Sequence, residues 1–451
     1  MRRNPVPAPR SALRRAPGGE PSASRPKSTA SIDAGSLPWI PGNPVWSPTS
    51  RRPAARPEVA GRARIPSTEE ATILATGFTA LTPRRVRRPA MALAGIIALG
   101  AASAPAARAG EEEGGKVTIS GSLDWYYQYS FNHPPRNPGG AEVGGRAFDI
   151  KNDQFALSLV EINVNRTPSK AFPVGLTLTG TVGKTADLVH ATEPGTKTVR
   201  FLQQLYGTYT TTGGTPVTID VGKFVTHHGF EVIESATNWN YSGSLLFTWA
   251  IPFYHMGIRL SAPLSSQLTA GVHFVNGWNN VEDDNSGKSI GAQLNWKPTS
   301  ALNLILNYMG GDEFTGAALP ANLNTHLFDL AAVWSLNDRL KLGFNADYAT
   351  AAKTGVGGGN WSGQAFYARY QLSASQALAL RLEHFEDSDG LRTGVAQNLN
   401  EITATWEHVW RQNLITRLEF RHDHAGTAWF PSGSGGKRSQ ETLTLSQVVK
   451  F

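Results

Sequence analysis

The 451-residue chain contains no cysteine, so it forms no disulfide and supports no thiol catalysis. Charge is sparse at 17% of residues, and no apolar run reaches the roughly 18 residues that a membrane-spanning helix requires. The overall basic balance, with a pI near 9.5, points to nucleic acid only until the charge is located. Residues 1–109 hold 17 of the 42 Lys+Arg and 5 of the 35 Asp+Glu, a net of +12; the remainder carries a net of −5. The basic character belongs to a leader without interleaved aromatics, and no nucleic-acid partner is expected.

That leader divides in two. Residues 1–83 are rich in Pro, Arg, Ser and Ala, show no sustained apolar period, and cannot bury a core. Residues 84–109 read as a cleavable signal peptide: Arg84, Arg85, Arg87 and Arg88, the apolar run Met91–Ala102, then Ala107-Arg108-Ala109. Cleavage after Ala109 leaves a mature chain over 110–451. A signal peptide belongs at the start of a precursor, so residues 1–83 read as a start called too far upstream.

What is present is a period of two. Val117, Ile119, Gly121, Leu123, Trp125, Tyr127 and Tyr129 share one face, while Thr118, Ser120, Ser122, Asp124 and Gln128 share the other. Strict alternation over this length predicts a strand with one apolar and one polar side. Sixteen such segments follow: 117–130, 155–164, 173–182, 201–211, 216–225, 254–262, 267–277, 288–297, 301–310, 325–336, 338–349, 361–372, 376–386, 400–410, 412–422 and 438–451. Their connections alternate short and long, and aromatics gather at strand ends, for example Trp296, Trp334 and Trp410 at one and Tyr308 and Tyr348 at the other. Phe451 ends the last segment, on a face shared with Leu443, Leu445 and Val449 and broken by Gln447. An even strand count, a sawtooth of connections and two aromatic girdles predict an all-β fold, a transmembrane antiparallel β-barrel of about 16 strands in an outer membrane, with Phe451 anchoring its end.

A barrel this wide is not filled by its own side chains, so an aqueous channel is expected. Connection 226–253 carries the apolar piece Leu245–Ile251, too hydrophobic for an exposed loop. Folded inward, this third long loop would bring His227, His228, Glu231 and Glu234 toward the pore. Alternation assigns lumen-facing charges to Arg259, Arg339, Lys341, Asp347, Arg369, Arg381, Glu383, Arg417, Glu419 and Arg421. With the other inward acids, Asp124, Asp220, Asp329, Glu401 and Glu407 among them, the two signs nearly balance, and cross-strand ion pairing accounts for most of them.

No metal or cofactor is expected. His227 and His228 are adjacent and point apart on an extended chain, and the Asp/Asn/Gly clusters at 283–287 and 387–390 lack the downstream bidentate Glu of a calcium loop. No Ser–His pair stands out for nucleophilic catalysis, so the chain reads as a non-enzyme.

Gly222-Lys223-Phe224-Val225-Thr226-His227-His228-Gly229-Phe230, with Asn238-Trp239-Asn240-Tyr241-Ser242, Ala250-Ile251-Pro252-Phe253 and Val275-Asn276-Gly277-Trp278-Asn279, resembles the OmpL-like group of beta-barrel porins. The resemblance covers most of 117–451. It implies a bacterial outer-membrane porin for passive diffusion of small hydrophilic solutes or ions. Its surroundings would be outer-membrane lipid and lipopolysaccharide, its C-terminal strand would meet the barrel-assembly machinery, and a homotrimer is left open. The alternative is a barrel with a closed lumen and a structural or surface-binding role.

Overall fold

The computed structural model describes residues 115–191, 193, 200–283, 285–314, 322–353 and 355–451. The leader and signal-peptide readings lie outside them. Among the described residues no helix is long and apolar enough to cross a membrane.

Sixteen strands close on one another. They are β1 (Val117–Ser130), β2 (Gln154–Arg166), β3 (Val174–Val182), β4 (Leu202–Thr210), β5 (Thr218–Val225), β6 (Tyr254–Pro263), β7 (Leu268–Val275) and β8 (Ser289–Thr299). Then follow β9 (Leu302–Phe314), β10 (Asn322–Ser335), β11 (Leu340–Lys353), β12 (Gly357–Gln371), β13 (Gln376–Asp387), β14 (Gln397–Trp410), β15 (Leu414–Ala425) and β18 (Ser439–Lys450). A small hairpin, β16 (Phe430–Ser432) with β17 (Gly435–Lys437), decorates the connection before β18, and one short helix, α1 (Lys184–Val189), follows β3. Each barrel strand pairs antiparallel with its sequence neighbour, and β18 pairs with β1 to seal the cylinder.

The alternation seen in the sequence becomes a division of surfaces. Outward positions carry exposed large apolar side chains, among them Phe155 at 74%, Phe366 at 55% and Trp410 at 51% relative exposure. Inward positions on β1, β10–β15 and β18 are mostly buried and combine polar or charged side chains, as with Gln128, Asp329, Arg381 and Glu419, with apolar ones such as Leu327, Trp361 and Phe385. Apolar groups facing out and polar groups facing in suit a wall with lipid on one side.

The seam depends on a close approach. Gly121 and Phe451 exchange two backbone hydrogen bonds, 3.0 and 3.1 Å. The Phe451 ring lies where a side chain at 121 would go, since a Cβ there would stand 2.5 Å from its Cζ and 2.4 Å from the Glu161 carbonyl oxygen. Gly121→Leu therefore forces the ring and the seam apart, at a cost of about 1–3 kcal/mol. We expect a smaller folded fraction on unheated gels than for Phe451→Leu; equal fractions would contradict the role of this contact.

Candidate functional site

The segment between β5 and β6 leaves the barrel wall at Thr226 and lies against the polar face of distant strands. Its first anchors are backbone amides: Gly229 N–H donates to Asp329 on β10 (2.9 Å), and Phe230 N–H donates to Asn345 on β11 (3.1 Å). Farther along, Tyr241 and Ser242 donate to Glu419 on β15 at 2.6 and 3.0 Å. Leu245 and Leu246 both donate to Glu383 on β13 at 2.6 Å. These carboxylates take up the free amides that begin a turn, an arrangement favoured for anions at such ends. Leu246–Ala250 then forms a single turn of π-helix.

Arginines anchor the segment's carbonyls. Arg381, with a side chain wholly inaccessible to solvent, donates to Glu401 (2.8 and 3.2 Å), Glu231 (2.7 Å) and the Ser242 carbonyl (2.7 Å). Arg417 donates to Glu407 (2.8 Å) and to the Ser235 and Asn238 carbonyls (2.7 and 2.9 Å). Arg421 donates to Asp423 (2.8 Å) and to the Gly243 carbonyl (2.6 Å). A guanidinium serves this purpose because its planar fork reaches a carboxylate and a carbonyl together.

Apolar contact completes the seat. Leu245, Leu246, Phe247, Ala250 and Ile251 are buried with Trp361, Phe385 and Leu327 from the wall. The Trp361 indole N–H donates to the Ala250 carbonyl at 3.0 Å. Leu246 fits because Gly363 has no side chain; a Cβ there would stand 2.6 Å from its methyl carbon.

The four loop residues singled out in the sequence are not brought together. Glu231 is the partner of Arg381, and Glu234 is bonded to Gln203. His227 and His228 turn the other way, toward β6–β9. Their rings lie 4.2 Å apart, so the expectation that they point apart does not describe this turn, where Gly229 adopts φ +90°. His227 stacks on His273 at 3.9 Å and lies 5.9 Å from His255. Burial, with the neighbouring imidazoles second, holds His227 and His228 well below the ordinary imidazole range. Among the described residues no group of three or more His, Cys, Asp or Glu is arranged to hold a metal ion.

Of the charges assigned to the lumen, Arg259 bonds Asp220 (2.7 Å) and Arg369 bonds Glu407 (2.6 Å). Asp347 lies opposite Asp329 in register, buried. Arg339 and Lys341 stay exposed near the short-turn end. Sequence reasoning missed His255 and His273, which reach His227 through strand register, and Arg146, held by Asp423 at 3.0 Å and Asp149 at 3.3 Å. It also missed Ser439 and His424, 3.1 Å apart beside the His422–Glu441 pair in a polar band on the outward face.

Residues 116–451 match the family described as "Putative beta-barrel porin-2, OmpL-like". The chain belongs to that family. Solved structures similar to this porin-family chain are those of an anion-selective porin from Comamonas acidovorans (12% identity, TM-score 0.50, covering 74% of this chain and 99% of that one) and the outer-membrane channel DcaP of Acinetobacter baumannii (12%, 0.50, 76% and 100%). OmpT of Vibrio cholerae in a trimer form is similar at 8% identity and TM-score 0.50, covering 75% of this chain and all of that one. At these identities the likeness shows the porin fold. No curated protein matches the sequence.

Two outcomes follow from the anchors. Arg381→Met leaves Glu231 buried without a cation and Glu401 with Arg421 alone at 3.2 Å, a loss of about 3–5 kcal/mol. Hydrogen exchange over 226–253 should rise sharply, whereas unchanged protection would show that the arginine does not hold the segment. The histidines give a pH dependence. Above about pH 6.5 an imidazole is neutral whether docked or released, so it contributes nothing. As pH falls through that value the released ring takes a proton that the docked ring, buried beside His255 and His273, resists, so docking weakens. Exchange corrected for its intrinsic rate should be faster at pH 5 than at pH 7.5, and His227→Phe/His228→Leu should reduce the difference.

Proposed function

We propose that the chain is a bacterial outer-membrane porin whose water-filled channel passes small hydrophilic solutes or ions by diffusion, with segment 226–253 folded inside the barrel as its constriction. Export by the signal peptide at 84–109, a start downstream of most of residues 1–83, and assembly as a homotrimer belong to the same proposal. The trimer form of a structural neighbour supports the last of these.

One observation carries the reading. Segment 226–253 hydrogen-bonds to side chains of β1, β10, β11, β13, β14 and β15, all on the polar face. A single connection reaches that many strands of a closed cylinder from within far more readily than from outside. The opposite wall stays partly accessible and is lined by hydroxyl and amide side chains, including Asn163, Thr177, Thr208, Thr218, Gln293 and Asn303. A polar wall facing a seated loop supports a wet passage between them. His227, His228, Glu231 and Glu234 then position the loop, and the lumen arginines hold it in place.

The closed-lumen alternative draws on the apolar cluster around Leu245–Ile251, which occupies part of the interior. Planar bilayers decide between the two. Purified protein should give stepwise openings, and replacing residues 240–250 with a Gly/Ser linker should raise the step size severalfold. Silence from a folded wild-type barrel would favour the closed lumen. Equal steps from the linker variant would remove the segment from the pore.

A further inference from the structure

The nearly balanced count of lumen charges hides an imbalance in which of them face water. The inward carboxylates beneath the loop, such as Asp124, Asp329, Glu383, Glu401 and Glu419, are all buried and engaged by loop amides, hydroxyls or guanidiniums. Two inward ion pairs, Arg259–Asp220 on β6 and β5 and Arg369–Glu407 on β12 and β14, are lopsided in exposure. The Arg259 side chain is 26% accessible against 10% for Asp220, and that of Arg369 is 20% against 7% for Glu407. In both pairs the arginine side chain is the more exposed partner.

The mouth at the short-turn end extends this bias. Lys341 and Lys450 stand on inward positions of β11 and β18, Lys116 and Arg339 continue the same parity just before β1 and β11, and Lys297 lies at the end of β8. All five are exposed, and among the described residues none forms an ion pair. The acidic residue of the neighbouring short turns is Asp338. Rings of lysine and arginine set anion preference in pores, because a counter-ion concentrates where unpaired charge of one sign lines a narrow path.

We propose that this channel is anion-selective, with the exposed cations of the short-turn mouth, Arg339, Lys341 and Lys450 above all, drawing small inorganic or carboxylate anions into the passage. The inference rests on the porin reading and adds a sign to it. Net charge does not predict this result: the chain beyond residue 109 is acidic overall, but five of its inward acids, Asp124, Asp329, Glu383, Glu401 and Glu419, are buried beneath the loop.

Reversal potentials of the full mature chain, Glu111–Glu113 included, across a KCl gradient test the proposal. At about 0.1 M, where the Debye length is about 10 Å, chloride should permeate more than about threefold better than potassium, and the ratio should shrink toward about 1 near 1 M salt. Arg339→Gln/Lys341→Gln/Lys450→Gln changes only exposed side chains, and its folding is checked by gel mobility. It should lose most of the preference while keeping its conductance. A wild-type ratio at or below one overturns anion selectivity and leaves the porin reading standing. Preference unchanged in the triple variant overturns the role of the mouth, and bilayers silent for both proteins overturn the porin reading itself.

Discussion

In a hydrocarbon layer no water is available to a backbone N–H or C=O, so a sheet that crosses it must have no edge. That constraint organises the whole molecule. It requires β18 to return to β1, and it places the Gly121–Phe451 exchange at the seam. It also fixes the period of two, because a closed wall has one face toward lipid and one toward the interior. Once the faces are assigned, every inward charge must find a partner or water.

The interior solves that problem unevenly. Around β10–β15 and β1, the polar face is met by segment 226–253, whose free amides and carbonyls are the complement of the wall's carboxylates and guanidiniums. Across the barrel, β2–β9 keep hydroxyl and amide side chains that water can satisfy. On the proposed reading, the residues that dock the loop therefore also decide which wall stays wet and which sign of charge remains in view. Buried ion pairs are weak evidence for stability, but removing one partner is costly; Arg381, shared by Glu231 and Glu401, ties the loop to the wall in that sense.

The barrel was legible because alternation is a local signal repeated sixteen times, and each predicted strand is found. The boundaries shifted where side chains say little. β12 begins at Gly357 rather than 361, across glycines without a pattern, and β9 runs on through Gly310 and Gly311 to Phe314. The interior was far less legible. The sequence marked Leu245–Ile251 as too apolar for an exposed loop, but nothing local joins Glu231 to Arg381, 150 residues away, or His227 to His273. Such contacts depend on register accumulated around the cylinder, and on absences such as the missing side chain of Gly363 that admits Leu246. Charge counting is silent on exposure for a related reason, since the balance in the sequence does not say which groups the loop covers.

The central claim is that segment 226–253 sits inside the closed barrel, and the absence of native cysteine makes it directly testable. Asn240 and Thr405 touch through their side chains at 2.8 Å. With Asn240→Cys and Thr405→Cys introduced together, mild oxidation of intact outer membranes should trap a bridge between the segment and β14 in the folded, heat-modifiable protein. A folded barrel that forms no bridge, and whose residue 240 thiol reacts at once with a bulky reagent supplied from outside the cell, would contradict the account.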